Sequence, residues 1–437
     1  MKNNGRLHLQ RRIGAMLMLA AVISCLPARS RAQETVIHDF TGPDGARPTG
    51  DLIFDSDGNI YGVTEDGGYI TKSGDCVSGC GTVFKLSRVP GGWKHTILYK
   101  FHGGTDGSNP MAGLVIDGAG NLYGTAVASA SESGVVFELS PRPSGGRQFS
   151  VIHAFTGMFG QGPDGGHPQA KLLLDSAGNL YGTASSGGTG KLSSGVVFEL
   201  SQTSPGNWTE TVLHNFTGGS DGGQPESGLI FDASGNLYGA TLAGGDLSKC
   251  PGNGCGVVFE LSPNSGVWTE TVLHTFQGLD GNLPFGNLIF DAAGNLYGAA
   301  NEGGNASGCC GVIYELSPSA SGWTETVLHT FNPGNHFNGG YKGAFPFDLA
   351  MDAKGDLYSA TFAGGRAGAY AGVVFKLSHT STGWAETVLH AFYGGLDGGG
   401  PESGVTFDKE GNLYGVTATG GTGGILSGVV YEVKLVK

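Results

Sequence analysis

Charge is scarce in this chain. Only 14% of the 437 residues are Asp, Glu, Lys or Arg, well under the usual quarter, which argues against coiled coils and solvated surface helices. Basic residues are the scarcer kind, 24 against 37 acidic, and the net charge is −13. That sign makes a poor nucleic-acid or anionic-membrane binder, so no nucleic-acid partner is expected. Helical periodicity is lacking as well, because no segment sustains a 3.6-residue apolar repeat. The one long apolar run, Ile13 to Leu26, is too short to span a bilayer, and no transmembrane segment is expected.

Glycine is the abundant residue, with 82 copies, more than twice the average usage of about 7%. Hydrophobic residues still make up 39% of the chain, with 23 Phe and 14 Tyr. That is enough to fill a core, so disorder is excluded. Lys2, Arg6, Arg11 and Arg12 precede the apolar run, and Pro27 and Ser30-Arg31-Ala32 follow it. A basic stretch, an apolar stretch and a small-residue site predict a signal peptide over residues 1–32, cut before Gln33. Residues 1–32 hold six basic residues and no acidic one, so their removal takes the charge from −13 to −19. The expected location is secreted, periplasmic or extracellular. Val22-Ile23-Ser24-Cys25 also resembles a lipoprotein box, and anchoring through a lipidated Cys25 is the alternative.

Beyond residue 32 one pattern is written seven times. Asp-x-x-Gly-Asn-Leu-Tyr-Gly recurs, with substitutions, at Asp55, Asp117, Asp175, Asp232, Asp291, Asp352 and Asp408, spaced by 56 to 62 residues. Each copy holds four short runs rich in Val, Ile, Thr, Tyr and Phe, separated by Gly, Pro, Asn and Asp. In the fourth these are Thr209 to Phe216, Ser227 to Asp232, Asn236 to Thr241 and Gly256 to Ser262. This is strand-and-turn grammar. Seven such units fit a propeller or an open solenoid. The pattern opens inside a repeat at Glu34 to Phe40 and closes at Gly428 to Val433. That split predicts a ring in which the first strand completes the last blade, leaving no exposed edge. The expected architecture is all-β: one seven-bladed β-propeller over residues 33–437, four antiparallel strands per blade. The short apolar Gly-Leu-Ile-Phe-Asp run suits inner strand a, the next two runs strands b and c, and the polar Thr-Glu-Thr-Val-Leu-His run outer strand d. The b–c and d–a loops then share one face.

The unit Gly-Leu-Ile-Phe-Asp-x-x-Gly-Asn-Leu-Tyr-Gly, followed by Gly-Val-Val-Phe-Glu-Leu-Ser and Trp-Thr-Glu-Thr-Val-Leu-His-x-Phe, closely resembles the GloVer tandem repeat of bacterial choice-of-anchor proteins. The resemblance covers Glu34 to Val433. It implies an exported, surface-associated protein and supplies no catalytic residues. Members often carry a C-terminal anchoring segment. This chain stops at Lys437, so release, or anchoring through Cys25, is expected.

The Asp-x-x-Gly-Asn element offers hard-cation ligands, but a single carboxylate falls far short of the six to eight oxygens calcium takes. A tight a–b turn is the simpler reading. His38, His153, His214, His274, His329 and His390 share one position in strand d, with Tyr99 in the second copy. Equivalent positions on different blades cannot converge, so these side chains are expected to pack between blades, bonded to a neighbouring strand or loop. Trp93, Trp208, Trp268, Trp323 and Trp384, which open strand d, read as structural. No catalytic, cofactor-binding or metal set is legible. Cys76 with Cys80 and Cys250 with Cys255 look like local disulfides of b–c loops in an exported chain. Cys309 and Cys310 could close only a vicinal ring.

Departures from the repeat concentrate in b–c and d–a loops. The third copy stretches its d–a loop through Phe159 and His167, and the sixth carries His336, Phe337, Tyr341 and Lys342. Tyr69, Arg366 and Tyr370 lie in b–c loops of the same face. Variable loops on a rigid scaffold are where binding usually lives. The expected function is a monomeric binding module for a polysaccharide or a protein, using Phe159, His167, His336, Phe337 and Tyr341. The alternative is a propeller lyase, lactonase or glycosidase with its site at the channel mouth. The nearly uniform, apolar inner strands disfavour it, since a site should break symmetry with convergent polar residues.

Overall fold

Seven antiparallel sheets make the blades of a propeller, each with four strands, and in blades 5 and 6 a short extra strand, Asn282–Pro284 or Ala344–Pro346, joins the sheet. The structure, a computed structural model, describes residues 32–70, 76–128, 133–156, 161–190, 194–332, 342–366, 370–424 and 426–435. Blade 4 is representative: strand a is Ile230–Phe231, b Leu237–Thr241, c Val257–Asn264 and d Val267–Thr275. Sheet order follows chain order in blades 1 to 6. In blade 7, Gln33–Asp39 supplies the outer strand, pairing antiparallel with Val429–Lys434 from Gln33↔Lys434 to Asp39↔Val429. The ring therefore closes by strand pairing, as the split repeat predicted. Gln33–Leu435 forms one compact unit. Among the described residues no helix is long and apolar enough to cross a membrane.

Strand a is shorter than its apolar run. Ser227 to Asp232 keeps ladder pairing only at Ile230 and Phe231. The preceding residues leave the ladder and line the axis, where seven blades crowd together.

The repeat's letters map onto contacts. In the a–b turn, Asp232 Oδ1 accepts the N–H groups of Ser234 and Asn236 at 2.8 and 2.9 Å. Its Oδ2 accepts Asn236 Nδ2 at 2.8 Å and the Tyr238 hydroxyl at 3.2 Å. One carboxylate thus satisfies the whole Asp-x-x-Gly-Asn-Leu-Tyr motif, which is a turn. In blade 6, Asp356 replaces the Asn and turns to Lys376 instead. Gly239 follows Tyr238 because a Cβ there would lie 2.7 Å from the Phe259 ring. The Phe that ends each His-x-Phe packs edge-on against the strand c aromatic of the next blade, as in Phe216–Phe259 at 5.2 Å and Phe40–Phe84 at 5.2 Å. Both members of each pair are fully buried. Burying a Phe is worth about 1.5–3 kcal/mol and an aromatic pair adds roughly 1 kcal/mol. Repeated around the ring, these contacts hold blade to blade.

The histidines sit in the same seams. Nε2 of His38, His153, His214, His274 and His390 lies 3.1–3.9 Å from Asp44, Asp164, Asp221, Asp280 and Asp397 of the adjoining d–a loop. Tyr99 donates to Asp106 at 2.8 Å in the equivalent place. Three disulfides, Cys76–Cys80, Cys250–Cys255 and the vicinal Cys309–Cys310, lie in b–c loops.

Candidate functional site

The residue four places before each turn Asp lines the axis. In blade order these are Asp51, Gly113, Lys171, Gly228, Asn287, Asp348 and Gly404. The three glycines mark close approach. A Cβ on Gly228 would stand 2.1 Å from Asn287 Oδ1, and one on Gly404 would stand 2.4 Å from the Asp348 carbonyl. The other four positions carry polar side chains, and these line two axial cavities at once.

On the loop face lies a vestibule of about 250 Å³, lined by Thr49, Gln169, Glu226, Glu402, Phe285, Phe347 and Phe362 beside the axial residues. On the turn face lies a chamber of about 620 Å³ whose other walls are the Leu, Ile, Val and Phe side chains of the inner strands. Asp51, Lys171, Asn287 and Asp348 stand between the two as a polar partition.

The groups of the partition act on one another: the Asp51 and Asp348 carboxyls face each other at the axis, and the Lys171 ammonium attracts both. Asp348 further accepts the Asn287 N–H. Burial, then the charge of Asp51, raises Asp348 far above the usual carboxylate range, and burial also raises Asp51. Two buried carboxyls facing each other cannot both ionise cheaply, so the pair holds a proton. Higher in the vestibule, burial lifts Glu226 to about 7, and Gln169 Nε2 lies 3.4 Å from its carboxylate. Glu402 is also raised by burial, against the opposing pull of Arg47. That guanidinium bridges Glu65, Asp66 and Glu402 at 3.1–3.5 Å. The vestibule therefore offers a shared proton, an ammonium, amide donors and carboxyls opposite a phenylalanine wall.

Of the loop residues expected to bind, Phe159, His336, Phe337 and Tyr341 lie outside the described residues. His167 is half-buried, with Nδ1 2.8 Å from the Ser186 hydroxyl, and it does not line the vestibule. Copies three and six nonetheless meet at the axis through Gln169, Lys171, Phe347 and Asp348. The inner strands are uniform only within the apolar run. One step before it, the chain reads Asp, Gly, Lys, Gly, Asn, Asp, Gly, and aligning the seven copies on the turn Asp would have exposed that column.

Fold and axis together define a seven-bladed propeller with a polar partition across its channel. The family model of the Gloeobacter/Verrucomicrobia repeat matches residues 27–166 and 130–340, and the chain belongs to that family. No curated protein matches it. Among solved structures it is similar to the extracellular domain of a protein assigned as a one-component system from B. thetaiotaomicron. That match has 11% identity, a TM-score of 0.51 and 93% coverage of this chain, which spans 40% of the other. A protein assigned as a gluconolactonase matches at 15% identity over 77% of this chain and 91% of its own. Its TM-score is 0.39, too low to bear on the site.

Proposed function

We propose that this is an exported binding module that takes a small polar group, such as the terminal sugar of a glycan, in the axial vestibule. The observation that carries the reading is convergence. Polar side chains from six blades, Asp51, Lys171, Glu226, Asn287, Asp348 and Glu402, line one cavity with Phe285, Phe347 and Phe362. Carboxyls and amides suit hydroxyl groups, and a phenylalanine wall suits the apolar face of a sugar ring. Export is supported by the basic, apolar and small-residue order of residues 1–32 and by three disulfides. Secretion is the favoured route, with anchoring through Cys25 as the alternative.

The test is calorimetric titration with a panel of neutral and acidic mono- and oligosaccharides. Saturable binding should weaken at least about tenfold in Lys171→Met and Glu226→Gln, the loss expected when a charged hydrogen-bonding group is removed. Binding that ignores both variants would place recognition elsewhere. One observation favours a second reading, a hydrolase: the proton held between Asp51 and Asp348 could protonate a leaving group. Product release from lactones or glycosides that disappears in Asp348→Asn would select it.

A further inference from the structure

The two sides of strand a meet different surroundings. Alternation puts the residues three before each turn Asp on one side and those two before it on the other. Leu229 is typical of the first set, buried in one cluster with Tyr181, Leu237 and Phe259. The second set shares its side with the partition residues, which stand two positions earlier. In blades 1 to 5 it reads Ile53, Val115, Leu173, Ile230 and Ile289. All five are only partly buried, and all line the turn-face chamber as an aliphatic collar.

We propose that the turn-face chamber binds a small neutral amphiphile, an aliphatic body with a hydroxyl head, seated head inward. Its volume of about 620 Å³ falls within the roughly 300–1,000 Å³ usual for small-molecule sites. Among the described residues, the polar side chains on its wall are Asp51, Lys171, Asn287 and Asp348. All four also line the vestibule, which puts them at the inner end of the chamber. The rest of the lining is Leu, Ile, Val and Phe. Apolar walls with a few convergent polar groups are what such a pocket needs. Ammonium and amide donors stand beside carboxyl oxygens that accept, and a hydroxyl can bond to either kind. A carboxylate head would face Asp51 and Asp348, and a cationic head would face Lys171. Either would also lose its water on entering an apolar chamber, a cost that a neutral head avoids.

This site does not depend on the vestibule reading. It lies on the opposite face, and none of the five collar residues lines the vestibule. A sugar would not suit it, because hydroxyls surround a sugar ring and the collar gives them no partner. The repeat itself supplies variants for a test. At the collar position blade 6 carries Ala350 and blade 7 carries Thr406, so the fold accepts a small or a polar side chain there.

The full chain is titrated by calorimetry with octanol, octanoate and octylammonium. The expected result is one saturable octanol site per chain, at least about tenfold tighter than for either charged analogue. Ile230→Ala combined with Leu173→Thr should weaken octanol at least about tenfold, since one methylene in an apolar pocket is worth roughly that much. Both changes copy residues that blades 6 and 7 already hold, and a melting curve checks that the variant folds. If it does not, Ile230→Thr alone serves in its place, with a loss in the same direction. Absence of saturable octanol binding to the parent overturns the proposal. So does a charged analogue that binds as tightly, which would deny the neutral head. Unchanged octanol affinity in the folded variant also overturns it, by placing the alcohol outside the collar.

Discussion

The carboxyl of Asp51 in blade 1 faces that of Asp348 in blade 6 across the axis, and the Lys171 ammonium attracts both. Such a pair holds one proton, and its folded-state pKa stands above the unfolded value near 4. The stabilisation is full below that value and is lost as pH rises. Asp348→Asn keeps a donor and cannot ionise. Its Tm should therefore fall less than the parent's between pH 5 and pH 9, and parallel curves would show that no proton is shared.

Lys171 is the single cation among the described residues lining the two axial cavities. Lys171→Met removes the ammonium that draws Asp51 and Asp348 toward ionisation and should cost about 1 kcal/mol in urea denaturation at pH 7, the upper scale for an ion pair that is not in direct contact. Adding Asp51→Asn should recover much of that loss. Additive losses from the two changes would mean the groups are uncoupled.

Burial raises Glu210, Glu270 and Glu325 in the blade seams to about 7. Their folded pKa exceeds the ordinary glutamate value of 4.5, so they favour the fold below pH 4.5 and progressively less as pH approaches 7. Burial lowers His153, His214 and His329, so these oppose the fold as pH drops below about 6.5. The triple Gln variant at the three glutamates should be more stable than the parent at pH 8 and no more stable at pH 4. Circular-dichroism melts across that range decide it.

Gln33–Asp39 completes blade 7. Deleting residues 33–40 also removes the fully buried Phe40 and exposes an unpaired edge, so large destabilisation and aggregation are expected. A permutant beginning just before Ser227 retains every strand pair and should fold. A deletion variant that melts like the parent would refute closure by this strand.

Cys76–Cys80 and Cys250–Cys255 close loops across sequence separations of 4 and 5. Chain-entropy reasoning limits each to about 2 kcal/mol. Reduction should increase amide exchange in those b–c loops and leave exchange in strands b and c unchanged. Global acceleration of exchange would contradict a local role.

The blades were legible because each letter of the repeat has a local job. Asp232 holds its own turn, Gly239 makes room for Phe259, and Phe216 crosses to the next blade. The seam partnership of His38 with Asp44 was legible for the same reason, being only six residues long. The partition was not, because Asp51, Lys171, Asn287 and Asp348 come from four blades. Their meeting depends on the angle of closure rather than on any spacing in the chain. The stacking of the His38 ring on His95, with centroids 4.1 Å apart, was hidden differently: comparing equivalent positions misses a seam that pairs non-equivalent ones. The strand a runs promised six-residue ladders, but crowding at the axis left two.

A partition across the channel also fixes how a long molecule can be read. With polar side chains shared by the two cavities, a polymer entering from the loop face meets Asp51, Lys171, Asn287 and Asp348 before it reaches the turn-face chamber. Its end group is the part that reaches those side chains first. The proposed vestibule is thus suited to sensing chain termini, whose number rises as a polymer is cut, rather than the length of chain between them.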